Sequence, residues 1–245
     1  PGPWDEFSCW LDLPLKSKPI PAPPLRSPAC MRAIHYTSRP AHADQLHVEL
    51  WRSGRPLTLD PGTYRYTSAS PWDNALNSAK VHCVVTVDGE EPMRRAGRFL
   101  WLNWDQAIWL EGQPGAARQV AEHTGYRRLG IRHIRSLIQL EDRQWQVTDE
   151  LLPLRGADEN HIARVHWLLP DAPYQLEGTT LRLDLSDGPF TVSVFSNNSP
   201  HQIELIRAGN NLLDSTRVTP ILGWVSPTYG QKDPALSFAV TYQGS

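Results

Sequence analysis

The chain has 245 residues, 20% of them charged, with a formal net charge of −2 at pH 7. Such a balance excludes the basic footprint of a nucleic-acid binder and a polybasic, membrane-surface character. No apolar run reaches the ~18 residues of a spanning helix. Ten tryptophans and 22 prolines are the unusual counts, and they favour sheets joined by loops over helices. Tryptophan suits core packing first, with sugar stacking open to a few of the ten. The cysteines Cys9, Cys30 and Cys83 are odd in number and form no Cys-x-x-Cys, so they read as small buried residues.

In chain order, residues 1–29 hold eight prolines, including the run Pro19 to Pro24, and read as an extended linker or a remnant of an upstream region. The opening Pro1 suggests an excised piece, with any targeting segment lying upstream. From residue 30 to 245 the pattern is that of one β domain. Cys30 to Tyr36 is apolar enough for a strand. Leu46, Val48 and Leu50 alternate with His47, Glu49 and Trp51, and Leu57 and Leu59 continue in a second strand after Ser53-Gly54. Short helical pieces are expected near Trp72 to Ala79 and Gln106 to Leu110. Val81 to Val87 reads as a strand ending in a hairpin turn at Asp88-Gly89. Tyr126 to Leu140 and Gln144 to Leu152 flank Glu141-Asp142-Arg143 as another hairpin. Strands follow at Ile162 to Leu169, Leu181 to Leu185, Phe190 to Phe195, Ile203 to Ile206 and Ala235 to Tyr242. Many short strands with frequent turns predict an all-β fold, a large two-layer antiparallel β-sandwich.

The residues able to do chemistry lie at strand ends. His42-Ala43-Asp44 precedes the first alternating strand, Asp60 opens Asp60-Pro61-Gly62-Thr63-Tyr64, and His82 lies in Val81-His82-Cys83. Spacings this long are not a local metal motif, and by spacing alone His35 and His47 are equal candidates.

Together these segments resemble the β domain of heparinase II/III-like polysaccharide lyases. The pattern is His-Ala-Asp, then Asp-Pro-Gly-Thr-Tyr, then a His-containing strand ending in Val87-Asp88-Gly89. It continues through Pro71-Trp72-Asp73-Asn74, Arg98-Phe99-Leu100-Trp101, His123 with Gly125-Tyr126, and Gly223-Trp224-Val225-Ser226-Pro227. The resemblance implies a divalent ion, zinc by its ligand chemistry, held by His42, Asp60 and His82 and bracing loops near the active cleft. It also implies β-elimination on a uronate-containing acidic polysaccharide and a periplasmic or extracellular location. The family's N-terminal α/α-toroid, which bears most catalytic groups, is expected to be missing, and the fragment to be inactive alone.

Two positions depart from the family pattern. Pro40 stands where some members carry a catalytic histidine, and Cys83 where asparagine is usual. No catalytic residue is therefore assigned. Arg39, which could hold a carboxylate bidentately, Tyr64 and Trp72 are the candidates for substrate contact. Two other readings are a non-catalytic carbohydrate-binding module and a structural assembly domain whose metal only stabilises the fold.

Overall fold

The computed structural model describes residues 7–12, 29–141, 143–154 and 160–243. Two antiparallel sheets dominate. The larger has eight strands, in spatial order Tyr174–Glu177, Thr180–Leu185, Gly188–Ser196, Phe7–Asp12, Gln144–Pro153, Ile131–Glu141, Arg118–His123 and Ala107–Glu111. The smaller has five: Asn210–Asn211, Pro200–Arg207, Leu236–Gln243, Ile162–Leu169 and Val85–Val87. Alternation supplies the inner faces. Leu181 and Leu183, then Phe190, Val192 and Val194, point from the large sheet into the same core as Val165, Trp167, Phe238 and Val240 of the small one. The Tyr242 hydroxyl donates to the Val194 carbonyl at 3.2 Å, joining the two layers directly. The expected β-sandwich is therefore present, and no helix of the described residues is long and apolar enough to cross a membrane.

Several local expectations need correction. Six residues of the stretch read as a linker, Phe7–Asp12, form a strand between Gln144–Pro153 and Gly188–Ser196, with Phe7 opposite both Asp149 and Ser196. Phe7, Cys9 and Leu11 fall two apart in sequence, but Trp10 breaks the alternation and the surrounding prolines mask it further. The proline run at 19–24 lies outside the described residues. Cys30 to Tyr36 gives only the short strand Ala29–Met31. Cys30 is exposed, whereas Cys83 is buried as expected.

Val81 to Val87 is a strand only from Val85. Before it, 3-10 turns at Ala75–Asn77 and Ala79–Val81 replace the expected helix. The His82 ring bonds back to the Ser78 carbonyl at 2.7 Å, and this closure turns the chain off the sheet. Asp88 and Gly89 take φ of 53° and 68°, the positive pair of a type I′ turn. Yet Val87 bridges only Glu90 across it, and the strand pairs instead with Ile162–Leu169. The hairpin Ile131–Glu141 with Gln144–Pro153 forms as expected. The expected helix at Gln106 to Leu110 is absent: Ala107–Glu111 is a strand, with Ala107 paired to His123.

One polar chain runs through the interior. Asp105, His123, His133 and Asp149 are linked side chain to side chain by contacts of 2.6, 2.7 and 2.6 Å. Arg135, fully buried, holds both Asp149 oxygens at 2.7 and 2.9 Å. Burial works to raise the Asp149 carboxyl, but Arg135 and His133 outweigh it and hold it at about 2. Burial pushes the His133 ring down to about 4. Both groups thus bind fewer protons folded than unfolded, so stability falls on acidification. The His133 contribution is lost progressively from about pH 6.5 to 4, its unfolded and folded values. That of Asp149 is lost from about pH 3.8 to 2. Urea midpoints measured from pH 7 to 3 should fall steadily, and His133→Asn should flatten the upper part of that slope.

Candidate metal centre

Three loops converge at one edge of the sandwich. His42 sits in the segment before Val48–Arg52, where Ala43 N–H donates to the Asn77 carbonyl at 2.9 Å. Asp60 follows Leu59, whose N–H is taken by the Leu168 carbonyl at 2.8 Å, the last tie to the small sheet before the chain leaves it. His82 ends the second 3-10 turn. One ligand atom from each of His42, Asp60 and His82 lies within 4.8 Å of the others. The sequence-predicted metal set is therefore brought together.

The donor chemistry fits a cation. His82 Nδ1–H donates to the Ser78 carbonyl, which leaves Nε2 with a free lone pair. That Nε2 stands 3.3 Å from His42 Nδ1, and ligand pairs around a tetrahedral ion with bonds of 2.0–2.1 Å are separated by about 3.3 Å. Burial lowers the His42 pKa, and the neighbouring His82 adds to this, so the ring is held in the neutral, ligating form. At Asp60 burial works to raise the carboxyl, but His82, His47 and the Gly62 N–H outweigh it and keep it below its usual value. Asp60 Oδ1 takes that N–H at 2.8 Å. His47 is a fully buried neighbour, its ring edge-on to His82 at 5.6 Å, and burial drives its pKa down to about 3.

The Asp60 loop is braced by a distant segment. Ser226 N–H donates to the Pro61 carbonyl at 2.8 Å and Ser226 Oγ accepts the Tyr64 N–H at 2.9 Å. Two sequence motifs separated by more than a hundred residues thus meet back to back. Gly62 makes the approach possible. Its φ is +70°, and a Cβ there would lie 2.4 Å from the Ser226 carbonyl oxygen.

Beside His42 opens a cavity of 370 Å³ lined by Arg39, Pro40, Ala41, Thr63, Tyr66, Asn74 and Phe99. Arg39 Nη1 donates to the Phe99 carbonyl at 2.9 Å, and its guanidinium lies 5.7 Å from the Phe99 ring. Tyr66 contacts both Phe99 and Tyr229, with centroids 5.3 and 5.4 Å apart, and all three rings are exposed. Tyr64 and Trp72 lie elsewhere. They pack edge to face at 5.4 Å, Trp72 also meets Trp224, and Lys232 Nζ sits 4.2 Å from Trp72 and 3.1 Å from Trp224. Sequence reasoning favoured Trp72 and Tyr64, weighed Tyr66 beside Tyr64 as a residue that could face the cleft, and did not single out Phe99 or Tyr229 for contact. Two-residue spacing does not put Tyr64 and Tyr66 on one side here, because Tyr64 takes a positive φ of 60° and breaks the extended run.

Cys83, in place of the asparagine of the family pattern, keeps its surroundings satisfied. Its Sγ accepts the Leu168 N–H at 3.3 Å, and burial pushes the thiol up to about 12, so it is inert.

A two-layer antiparallel β fold with a His–Asp–His cluster beside an aromatic cavity defines the class, a β-sandwich domain with a candidate metal centre. The sequence matches the family "Heparinase II/III-like, C-terminal" over residues 29–245, and the chain belongs to it. Among solved structures, a heparinase III, the BT4657 gene product, matches with a TM-score of 0.63 at 17% identity over 88% of this chain. The heparan sulfate lyase HepC from Pedobacter heparinus matches with a TM-score of 0.58 at 17% identity over 83% of it. The aligned part is 31% of the first structure and 28% of the second, so the chain spans about a third of the length of these proteins. No curated protein matches the sequence.

The brace between Asp60 and Ser226 gives a direct test. Gly62→Ala should destabilise the fold by ~1–3 kcal/mol, because it adds strain at positive φ to a backbone clash. Denaturant unfolding checks this, and an unchanged midpoint would show that the loop approach carries no such constraint.

Proposed function

We propose that this chain is the β-sandwich part of a polysaccharide lyase that cleaves uronate-containing acidic polysaccharide by β-elimination. In this reading His42, Asp60 and His82 hold one zinc ion, and the cavity beside them forms one wall of the substrate cleft. The carrying observation is the adjacency of the two, since His42 belongs to the ligand cluster and also lines the cavity. Two imidazoles and a carboxylate suit zinc, which leaves a fourth position for water or another group. The ion's role is to lock three loops into one surface.

β-Elimination needs a base at C5, an acid at the C4 oxygen and a group that neutralises the carboxylate. Arg39 is the group of this chain suited to the carboxylate. Tyr66, Phe99 and Tyr229 offer faces for sugar rings, a role taken over from Tyr64 and Trp72, whose rings pack under Lys232. Pro40 bears no titratable group, so the base and acid are assigned to an N-terminal α/α-toroid. Ile108 and Leu110, exposed two apart on the edge strand of the large sheet, are suited to dock it. A periplasmic or extracellular location accompanies this reading.

Elemental analysis of purified protein should find about one zinc per chain, lost in His82→Ala. Wild-type protein that takes up no zinc when supplied with it would remove the metal from the proposal. Heparan sulfate oligosaccharide should bind the chain more weakly, by about tenfold, after Arg39→Ala or Tyr66→Ala, since each removes roughly 1.4 kcal/mol of contact. The chain alone should produce no rise in absorbance from unsaturated uronate, and such a rise would show that it carries its own base.

A further inference from the structure

His47 is completely buried, and its Nε2 has no hydrogen-bond partner among the described residues. Its other nitrogen, Nδ1, accepts the backbone N–H of Cys83 at 3.0 Å. A ring nitrogen that accepts an N–H carries no proton, so the proton of the neutral ring is on Nε2. A ring nitrogen of His47 and carboxylate oxygens of Asp60 and Glu49 lie within 4.8 Å of one another. Glu49 is already engaged, since its Oε2 accepts the Trp51 indole N–H at 3.2 Å. Asp60 is engaged on one oxygen only, by the Gly62 N–H.

We propose that His47 is a positioning residue for the metal centre: with an ion bound, its Nε2–H, which has no partner among the described residues, closes on the Asp60 carboxylate and fixes the orientation in which Asp60 meets the ion. This rests on the zinc reading given above. The arrangement is the carboxylate–histidine support common around metal ligands, with the histidine behind the carboxylate. A direct ligand role for His47, or a second ion held with Glu49, is disfavoured by the same proton count. Ligation through Nε2 moves the proton to Nδ1, where it faces the Cys83 N–H, two donors 3.0 Å apart.

Two variants separate positioning from packing. His47→Asn can keep an oxygen for the Cys83 N–H but has no donor reaching Asp60. His47→Gln can place an N–H near the Nε2 position but loses the acceptor for Cys83. Chelator competition with zinc should show affinity roughly 10–100-fold lower in His47→Asn and restored to within about threefold of wild type in His47→Gln. Metal-free melting temperatures should run the other way, with His47→Asn nearer wild type. Affinity that simply follows melting temperature overturns the proposal, as does wild-type affinity in His47→Asn. If both variants fail to fold, nitrogen-15 spectra of wild-type imidazoles decide. Zinc should leave a His47 proton on Nε2 in slow exchange, and a proton on Nδ1 instead overturns the assignment. Wild-type protein that binds no zinc overturns both this inference and the metal reading, whereas zinc binding indifferent to His47 overturns this one alone.

Discussion

The Arg135–Asp149 pair is the interaction on which the rest of the structure depends. Arg135 is completely buried in the large sheet, with two of its nitrogens on the Asp149 carboxylate. Its Nη1 also donates to the carbonyls of Leu46 at 2.8 Å and Cys83 at 2.7 Å. These are the neighbours of His47 and His82, so one guanidinium holds the backbone of two site segments. A buried ion pair is weak evidence of net stability, yet removing one partner leaves an uncompensated charge, at about 3–5 kcal/mol. Here it would also strip two carbonyls of their donor. The pair therefore acts as a registration device between the large sheet and the loops that carry the site.

Around that anchor, the centre is assembled by backbone bonds rather than by strand geometry. Ser226 clasps the Asp60 loop from behind, Ser78 orients His82, and Cys83 orients His47. Each ring nitrogen is assigned by what its opposite nitrogen touches, so the protonation pattern follows from the fold. Burial keeps His42 and His47 neutral, while burial at Asp60 is outweighed first by His82, and with it by the Gly62 N–H, so that its carboxyl stays below the usual value. Those are the states that a cation requires, and they exist because three loops share one small, water-poor volume.

The cavity lies on the open side of this centre, and its aromatic and arginine lining faces outward. The chain spans about a third of the length of the solved structures it resembles in fold.

Much of the architecture was readable from period-2 alternation. The long strand after Ile131 and the strand at Phe190 were visible because one face of each is buried and repeats every second residue, whereas those at Ile162 and Leu236, buried on both faces, showed as mainly apolar runs. The clustering of His42, Asp60 and His82 was also anticipated, though from motif order and not from spacing. Other features were hidden. Phe7–Asp12 was concealed by flanking prolines, because whether so short a segment becomes a strand depends on two open neighbours far away in sequence. His47 looked like any other histidine of an alternating strand, and its role emerged only with the Cys83 N–H on one nitrogen and carboxylates near the ring. Trp72 and Tyr66 could not be ranked, since exposure depends on where Lys232 and Tyr229 arrive. The sequence by itself determined the periodicity of the strands and the kinds of donor atom available. The tertiary structure alone decided which donors share a volume and which lone pairs stay free, because long-range contacts set burial and hydrogen-bond partners, and no local pattern encodes them.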